Sequence, residues 1–190
     1  MRYTYLVWIL GAVFYFCQFR VEAQTLQVVT KIIEKDFSFN TGEKVKINAE
    51  KSGVEIHGWA KNSIHIKVKL ISKDIDRSIA EKELEYLHFG IANGKKLLEL
   101  TNTLVLPKNI NEVAGNLKAE YEIWLPSTTT LEISNNFGNM KLYGLGGTST
   151  LSIQYCNLLL SGCKGTLNIT GLFSDIKGLP CSFLANSIQC

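Results

Sequence analysis

A short motif recurs three times in the second half of the chain at a fixed spacing of 18 residues. Each copy reads aromatic, small, Asn or Asp, aliphatic. The copies are Phe137-Gly138-Asn139-Met140, Tyr155-Cys156-Asn157-Leu158 and Phe173-Ser174-Asp175-Ile176. A unit this short cannot bury a core alone, so it must stack on its neighbours. The repeat therefore predicts a stack of short coils and says more about the fold than about the function.

The positions after the motif also agree between the copies. The aliphatic residues three and five positions after the aromatic alternate with period 2, which turns both toward one face of a strand. Turn-forming residues end that strand seven positions after the aromatic, at Gly144, Gly162 and Pro180. We therefore predict an all-β, solenoid-like stack of short β-coils in which each coil reads strand, corner, strand, corner. Cys156 and Ser174 stand where the first copy has glycine, which predicts corners less tolerant of left-handed backbone angles.

The first half of the chain carries a less regular version of the pattern. Residues 44–49 and 64–70 alternate strictly between apolar and polar, which predicts half-buried strands. Residues 54–59 mirror residues 140–145 position for position. The pair Ile64 and Ile66 then matches Leu151 and Ile153 after a one-residue deletion, so the solenoid pattern is expected to begin near Asp36.

One short helix is predicted near residues 76–88. Ile79, Ala80 and Leu84 have helical spacing, Ser78 is a candidate cap and Gly90 a candidate stop. The stretch from 107 to 116, which is rich in Asn and contains Pro and Gly, predicts a surface loop.

The N-terminus has the features of a secretory signal peptide. Arg2 precedes an apolar run from Tyr5 to Phe16, and Val21-Glu22-Ala23 supplies a small residue for cleavage. We predict a signal peptide over 1–23 and one β-solenoid domain over 24–190. That domain has an irregular part at 36–126, which includes the helix, and regular coils at 127–190. No stable membrane span is expected after cleavage, and the protein is expected in the periplasm or at the cell surface.

Charge and chemistry argue against nucleic acid and against catalysis. The net charge of +3 is weak for a nucleic-acid partner. Charged residues are sparse from position 127 onward, namely Glu132, Lys141, Lys164, Asp175 and Lys177. His57 and His65 alternate with apolar strand residues and are expected to face solvent, and His88 follows the helix. Without paired acids, a nucleophile with a base or a phosphate loop, no enzyme, cofactor or metal is predicted.

Four cysteines would remain after signal cleavage: Cys156, Cys163, Cys181 and Cys190. Cys163 and Cys181 share a repeat column, so stacked coils would set their backbones about 4.8 Å apart, within disulfide range. The alternative is that both are small buried apolar residues in the column of Leu145. The sequence leaves both interpretations open.

Together these segments resemble a family of secreted bacterial β-strand-repeat proteins labelled "putative adhesin", a domain of unknown function. The resemblance rests on Val54-x-Ile56-x-Gly58-Trp59, Tyr121-x-Ile123-x-Leu125-Pro126 and Leu131-x-Ile133-x-x-x-Phe137-Gly138-Asn139 with its repeats, and it spans residues 36–190. It implies an exported, solenoid-like all-β domain. Similar members continue through further coils, whereas the next aromatic here would fall at position 191, so a short or truncated form is expected.

The predicted frame residues are structural: Phe137, Gly138, Asn139, Tyr155, Asn157, Phe173 and Asp175. A row of Asn139, Asn157 and Asp175 could present sugar-binding amides or hold calcium, but stacked amides at corners usually satisfy the backbone and one another, and calcium prefers more carboxylates. The favoured function is a non-catalytic, adhesin-like protein that contacts an envelope protein or glycan, with end-to-end self-association also open. The alternatives are a polysaccharide hydrolase or lyase and a sensor of envelope state.

Overall fold

The computed structural model describes residues 25–189, with side chains up to Phe183, as a twelve-stranded sheet with a short helix. The predicted all-β class is confirmed, and the sheet is curled and open. The predicted signal peptide and Cys190 lie outside the described residues. The elements are β1 (Gln27–Ser38), β2 (Lys44–Glu50), β3 (Ser52–Trp59), β4 (Ser63–Asp74), α1 (Arg77–Leu84), β5 (Leu87–Asn93), β6 (Leu97–Leu104), β7 (Asn116–Pro126), β8 (Thr130–Tyr143), β9 (Thr148–Ser161), β10 (Lys164–Leu172), β11 (Asp175–Leu179) and β12 (Ser182–Gln189).

The sheet combines a parallel part with antiparallel margins. Its main path runs β1-β4-β7-β3-β8-β2-β6-β5, and β9 extends it from β8 toward β10, β11 and β12. Strand β4 is antiparallel to both β1 and β7, and β5 is antiparallel to β6. The remaining ladders are parallel.

The longest strands serve two sets of neighbours because each turns a corner. The first half of β8 pairs with β2 and the second half pairs with β3. Strand β9 pairs along its whole length with β8, and its two halves pair separately with β10 and β11. The 18-residue spacing seen in the sequence is the register of the β8–β9 and β9–β11 ladders.

The mirrored segments of the two halves are neighbours in the sheet. Val54 pairs with Met140 and Ile56 pairs with Leu142, in the order that the sequence comparison predicts. The side chains that alternate inward along these strands are fully buried. Each contributes about 1.5–3 kcal/mol of burial free energy, so this ladder of aliphatic side chains supplies much of the stability.

Three local predictions are wrong. Ile64 and Ile66 lie in β4, which is antiparallel to β7, so they do not continue the parallel column of Leu151 and Ile153. The alternation predicts a strand but not its neighbour, and β7 inserts between β3 and β4.

The other two errors concern the helix ends. The cap of α1 is Asp76, not Ser78, because the Asp76 carboxylate accepts hydrogen bonds from the backbone N–H and the hydroxyl of Ser78, each at 2.8 Å. These hydrogen bonds hold the pKa of Asp76 below its usual value. Gly90 does not stop the helix, since it lies inside β5.

No helix within residues 25–189 has the length and apolar character needed to cross a bilayer.

Candidate functional site

Three aromatic rings form an exposed ladder where β8, β9 and the β10–β11 segment turn their corners. The rings of Phe137 and Tyr155 stack with a centroid distance of 5.0 Å and an interplanar angle of 1°. The rings of Tyr155 and Phe173 stack with a centroid distance of 5.2 Å and an interplanar angle of 15°. The three residues are 52%, 50% and 73% exposed, respectively. We call these three residues the aromatic ladder.

Each ring of the aromatic ladder is carried by a backbone in the left-handed region. The φ angles are 62° at Phe137, 51° at Tyr155 and 48° at Phe173. Lys51 occupies the equivalent corner between β2 and β3 with φ of 49°. A bulky residue with positive φ is a genuine conformational outlier.

The sequence predicts left-handed backbone at the second position of the motif, which is Gly138 in the first copy, and this prediction is wrong. The aromatic residue adopts the left-handed conformation, and Gly138 is needed for a close approach, because a Cβ there would collide with the backbone of Ser52. The later corners have room for a side chain at this position. Cys156 donates from Sγ to the Asn135 carbonyl at 3.3 Å, and the Cys156 N–H donates to Ser174 Oγ at 3.1 Å.

A row of polar side chains runs beside the aromatic ladder, two residues further along each strand. Asn139 pairs in register with Asn157, and Asn157 with Asp175. The Asn157 Nδ2 donates to the Asn139 Oδ1 at 3.0 Å, so the exposed amides bond to one another. This bond is the arrangement expected of a structural amide row. We call these three residues the amide row.

A second set of rings lies further along the same outer face and was not predicted. His57 stacks between Trp124 at 5.4 Å and Tyr143 at 4.9 Å, and His65 packs on the other side of Trp124 at 5.3 Å. These four residues alternate outward from the core as the sequence indicates, but their rings are half-buried against one another. The alternation of apolar and polar residues indicates that these four side chains point outward. Their contact with one another depends on the order of the strands, which the alternation does not reveal.

Acidic side chains hold the histidines of this cluster. His57 Nε2 lies 3.1 Å from Glu55 Oε1. His65 lies 2.8 Å from Asp36 through Nδ1 and 3.1 Å from Glu34 through Nε2. Within residues 25–189, no group of three or more His, Cys, Asp or Glu side chains has an arrangement that could hold a metal ion.

The segments that carry Cys163 and Cys181, which share a position in the repeat, are neighbours in the structure. The Ser182 N–H donates to the Cys163 carbonyl at 3.0 Å, so the two segments run side by side. Cys163 is buried and Cys181 is half-buried. Neither of them, nor buried Cys156, is joined by a disulfide among the residues that the structure describes. Burial raises the pKa of Cys156 and of Cys163. The Cys163–Cys181 disulfide stays a prediction.

No model of a known protein family matches this chain, and no curated protein matches it in sequence. Several solved structures align with most of it at low similarity. A "putative cell adhesion protein" from Clostridium sporogenes is 14% identical over 85% of this chain and 100% of its own, with a TM-score of 0.37. A "putative adhesin" from Parabacteroides distasonis is 13% identical over 84% of this chain and 73% of its own, with a TM-score of 0.25. A "putative lipid binding protein" from the same organism is 12% identical over 83% and 77%, with a TM-score of 0.28. Similarity at these values does not carry a function to this chain.

Proposed function

We propose that this chain is an exported, non-catalytic, adhesin-like protein that binds an envelope protein or glycan through its outer face. The observation that carries the proposal is the aromatic ladder, whose three rings are half or more exposed while their backbones are left-handed. Contiguous exposed apolar surface marks interaction sites. The N-terminal signal features support export.

Stability alone is a poor reason to keep these rings. A left-handed backbone costs about 1–2 kcal/mol at each residue other than glycine. A stacked pair returns about 0.5–1.5 kcal/mol, and the ladder has two pairs for three strained residues. The stacking therefore offsets only part of the strain, and a binding role explains why aromatic side chains stand at these corners.

The same corners support the proposal that the chain is built as a flattened solenoid. In that arrangement one coil comprises a first strand, a left-handed corner and a second strand. In the coil formed by β2, Lys51 and β3, the first strand pairs with the first half of β8 and the second strand pairs with the second half. The parallel ladders with 18-residue register support such coils, as do the positive φ angles of Gly144 and Gly162 at the second corner. Coils of this kind would align their outward side chains in straight rows, which suits recognition of an extended partner.

The proposal is tested by removing the rings while keeping the fold. Asn tolerates positive φ better than other residues with a Cβ, so the triple variant Phe137→Asn, Tyr155→Asn, Phe173→Asn is designed to fold. The matched control replaces three exposed apolar residues elsewhere, Leu26, Val28 and Ile32, with Asn.

Both variants and the native protein are presented to a glycan array and to an envelope extract. We expect specific partners of the native protein to be lost by the ladder variant and kept by the control. Equal binding by the native protein and the ladder variant would refute the role of the aromatic ladder.

A second candidate function is a polysaccharide hydrolase or lyase, because Glu55, Glu120 and Glu122 share the outer face. Two of these carboxylates are engaged, Glu55 with Lys141 at 3.4 Å and Glu120 with Lys118 at 2.5 Å. Glycoside hydrolysis uses a pair of carboxylates that are free to act on the substrate. Because two of these three carboxylates are already bound to lysines, the binding role is favoured. Release of reducing ends from a polysaccharide by the native protein, abolished in Glu122→Gln, would establish the enzyme instead.

A further inference from the structure

The outer face has a notch where β3 carries a glycine. Gly53 lies inside the strand and its backbone is not left-handed. A Cβ at this position would meet only Glu120 Cγ, at 3.8 Å, which is an ordinary contact. Glycine weakens a strand interior, and here neither the backbone angles nor the packing demands it. The missing side chain leaves a gap between the outward residues of the neighbouring strands.

The gap is the middle of a groove that follows β3. Two adjoining depressions of about 590 and 410 Å³ share Gly53, Glu120 and Asn139 as lining residues. The outward side chains of β8 form one wall, and those of β7 and β4 form the other. At about 3.3 Å per residue, the stretch from Lys51 to Glu55 is about 13 Å long, which suits a short oligomer.

The floor of this groove can recognise a ligand only through side chains. Strand β3 pairs with β7 along its whole length and with β8 from Val54 to His57. At the remaining end the β8 backbone at Gly138 lies against Ser52, so neighbouring strands cover both edges of β3. An extended peptide could therefore not add itself as a strand here, which is the usual way in which a sheet binds one. A saccharide does not need backbone pairing, because its hydroxyl groups hydrogen-bond to amides, carboxylates and ammonium groups.

The charges around the groove favour an anionic ligand. Lys118 and Lys141 are neutralised by Glu120 and Glu55. The other three lysines of the groove form no ion pair within the part of the chain that the structure describes, and two of them are half-buried; they are Lys51, Lys67 and Lys69. Lys67 and Lys69 lie in register beside Glu122 and Glu120 without forming ion pairs with them. The lining residues of the groove include five lysines and three glutamates, so positive charge is in excess. A carboxylate on the ligand would offset that excess.

We propose that the Gly53 groove binds a carboxylated oligosaccharide. Its carboxylate lies against Lys67 and Lys69, and its hydroxyl groups bond to Asn139 and to the carboxylate of Glu122. Phe137 lines the groove together with Lys51 and provides an apolar contact for a sugar ring. This inference rests on the proposed binding function and names its ligand class.

The sharpest test fills the notch without weakening the fold. In Gly53→Val, a β-branched side chain suits the strand and occupies the gap. The matched control is Gly90→Val, which alters an exposed strand glycine that also has open space around it but lies in β5. The probe is an array of uronic-acid and sialic-acid oligosaccharides, each beside its carboxyl-reduced neutral counterpart. We expect the native protein and Gly90→Val to bind carboxylated members and Gly53→Val to lose at least about tenfold in affinity.

Further arms separate this inference from the proposed function. Lys67→Gln with Lys69→Gln should reduce binding of the carboxylated probes, and added salt should weaken native binding, since screening acts on charge pairs. If the native protein binds only neutral glycans, or if Gly53→Val binds like the native protein, the groove assignment is wrong while adhesin-like binding stands. A polyglutamate peptide that binds in place of the saccharides also overturns it. Absence of any glycan or envelope partner overturns both.

Discussion

Within residues 25–189, four corners hold residues other than glycine where the backbone geometry suits glycine. Phe137, Tyr155, Phe173 and Lys51 all have φ between 48° and 62°. The three rings recover part of the cost by stacking, whereas Lys51 has no ring to stack. The same backbone geometry thus has a different net cost at different corners, and that difference can be measured.

Lys51→Gly should raise the free energy of unfolding by up to about 1 kcal/mol, because it relieves left-handed strain without losing a stack. Phe173→Gly should leave stability within about 0.5 kcal/mol of the native value, because the relief of strain is offset by the loss of one stacking contact. Urea denaturation of both variants checks this. If Phe173→Gly lowers the free energy of unfolding by more than about 1 kcal/mol, the ring contributes chiefly to stability and not to contact with a partner.

Gly138 is the frame residue whose identity is fixed by space. A Cβ here would collide with the Ser52 backbone, which cannot yield without moving β3. We expect Gly138→Ala to destabilise the protein by about 1–3 kcal/mol, as overpacking usually does. The control is Gly90→Ala, where nothing lies within 4 Å of the added carbon. Equal stability of the two variants in urea denaturation would contradict the close approach.

The cysteines should differ in reactivity according to burial. Only the thiolate reacts, and burial raises the pKa of Cys156 and Cys163, so both should stay largely protonated at neutral pH and be alkylated slowly in the folded protein. Their labelling should rise with pH or on unfolding. Peptide-level mass spectrometry after timed alkylation measures this. If Cys163 and Cys181 resist labelling even when the chain is unfolded without reductant, the predicted disulfide between them exists.

Among the secondary-structure elements, helix α1 anchors the loop before β7 through hydrogen bonds. Glu83 of α1 is only 6% exposed. Its carboxylate accepts hydrogen bonds from the N–H groups of Ala114 at 2.6 Å and Gly115 at 2.8 Å. The loop is thus fixed by one side chain that reaches across more than 30 positions of sequence.

Glu83→Ala should release this loop. Two backbone N–H groups would lose their charged acceptor in partly buried hydrogen bonds, at a cost of about 1–3 kcal/mol, and the loop should open locally before the sheet unfolds. Limited proteolysis should then cut within residues 105–115 much faster than in the native protein. Glu81→Ala, on the exposed side of the same helix, is the control and should leave the rate unchanged. Equal rates in Glu83→Ala and the native protein would mean that other contacts hold the loop.

The sequence predicts elements here better than it predicts their neighbours. The 18-residue repeat predicts the register of β8 with β9 because equivalent positions of the repeats carry the same type of residue. The similarity between residues 54–59 and 140–145 predicts the pairing of Val54 with Met140 for the same reason. The antiparallel position of β4 could not be inferred, since alternation at Ile64 and Ile66 is the same for either direction of pairing. The groove was missed for a related reason: Gly53, Glu120 and Lys67 come from three strands whose order no local pattern reveals.

At the scale of the whole molecule, protection should decrease from the middle of the sheet toward its margins. Strand β8 is enclosed by β2, β3 and β9, whereas β1 pairs with β4 alone. Hydrogen exchange should therefore be slowest in β8 and much faster in β1, which opens without disturbing the core ladders. Residue-level exchange measured by NMR would check this order. Similar protection in the two strands would mean that the sheet opens only as a unit.

The corner geometry has a consequence for how such a chain can change in length. One repeat brings its own strand pair, its own left-handed corner and its own ring, all in register with the repeat before it. Gain or loss of a whole 18-residue unit would therefore lengthen or shorten the exposed strip by about 4.8 Å, the spacing between neighbouring strands, without altering its chemistry. The length of the proposed binding face would therefore scale with the number of repeats, while each ring keeps the same type of neighbours.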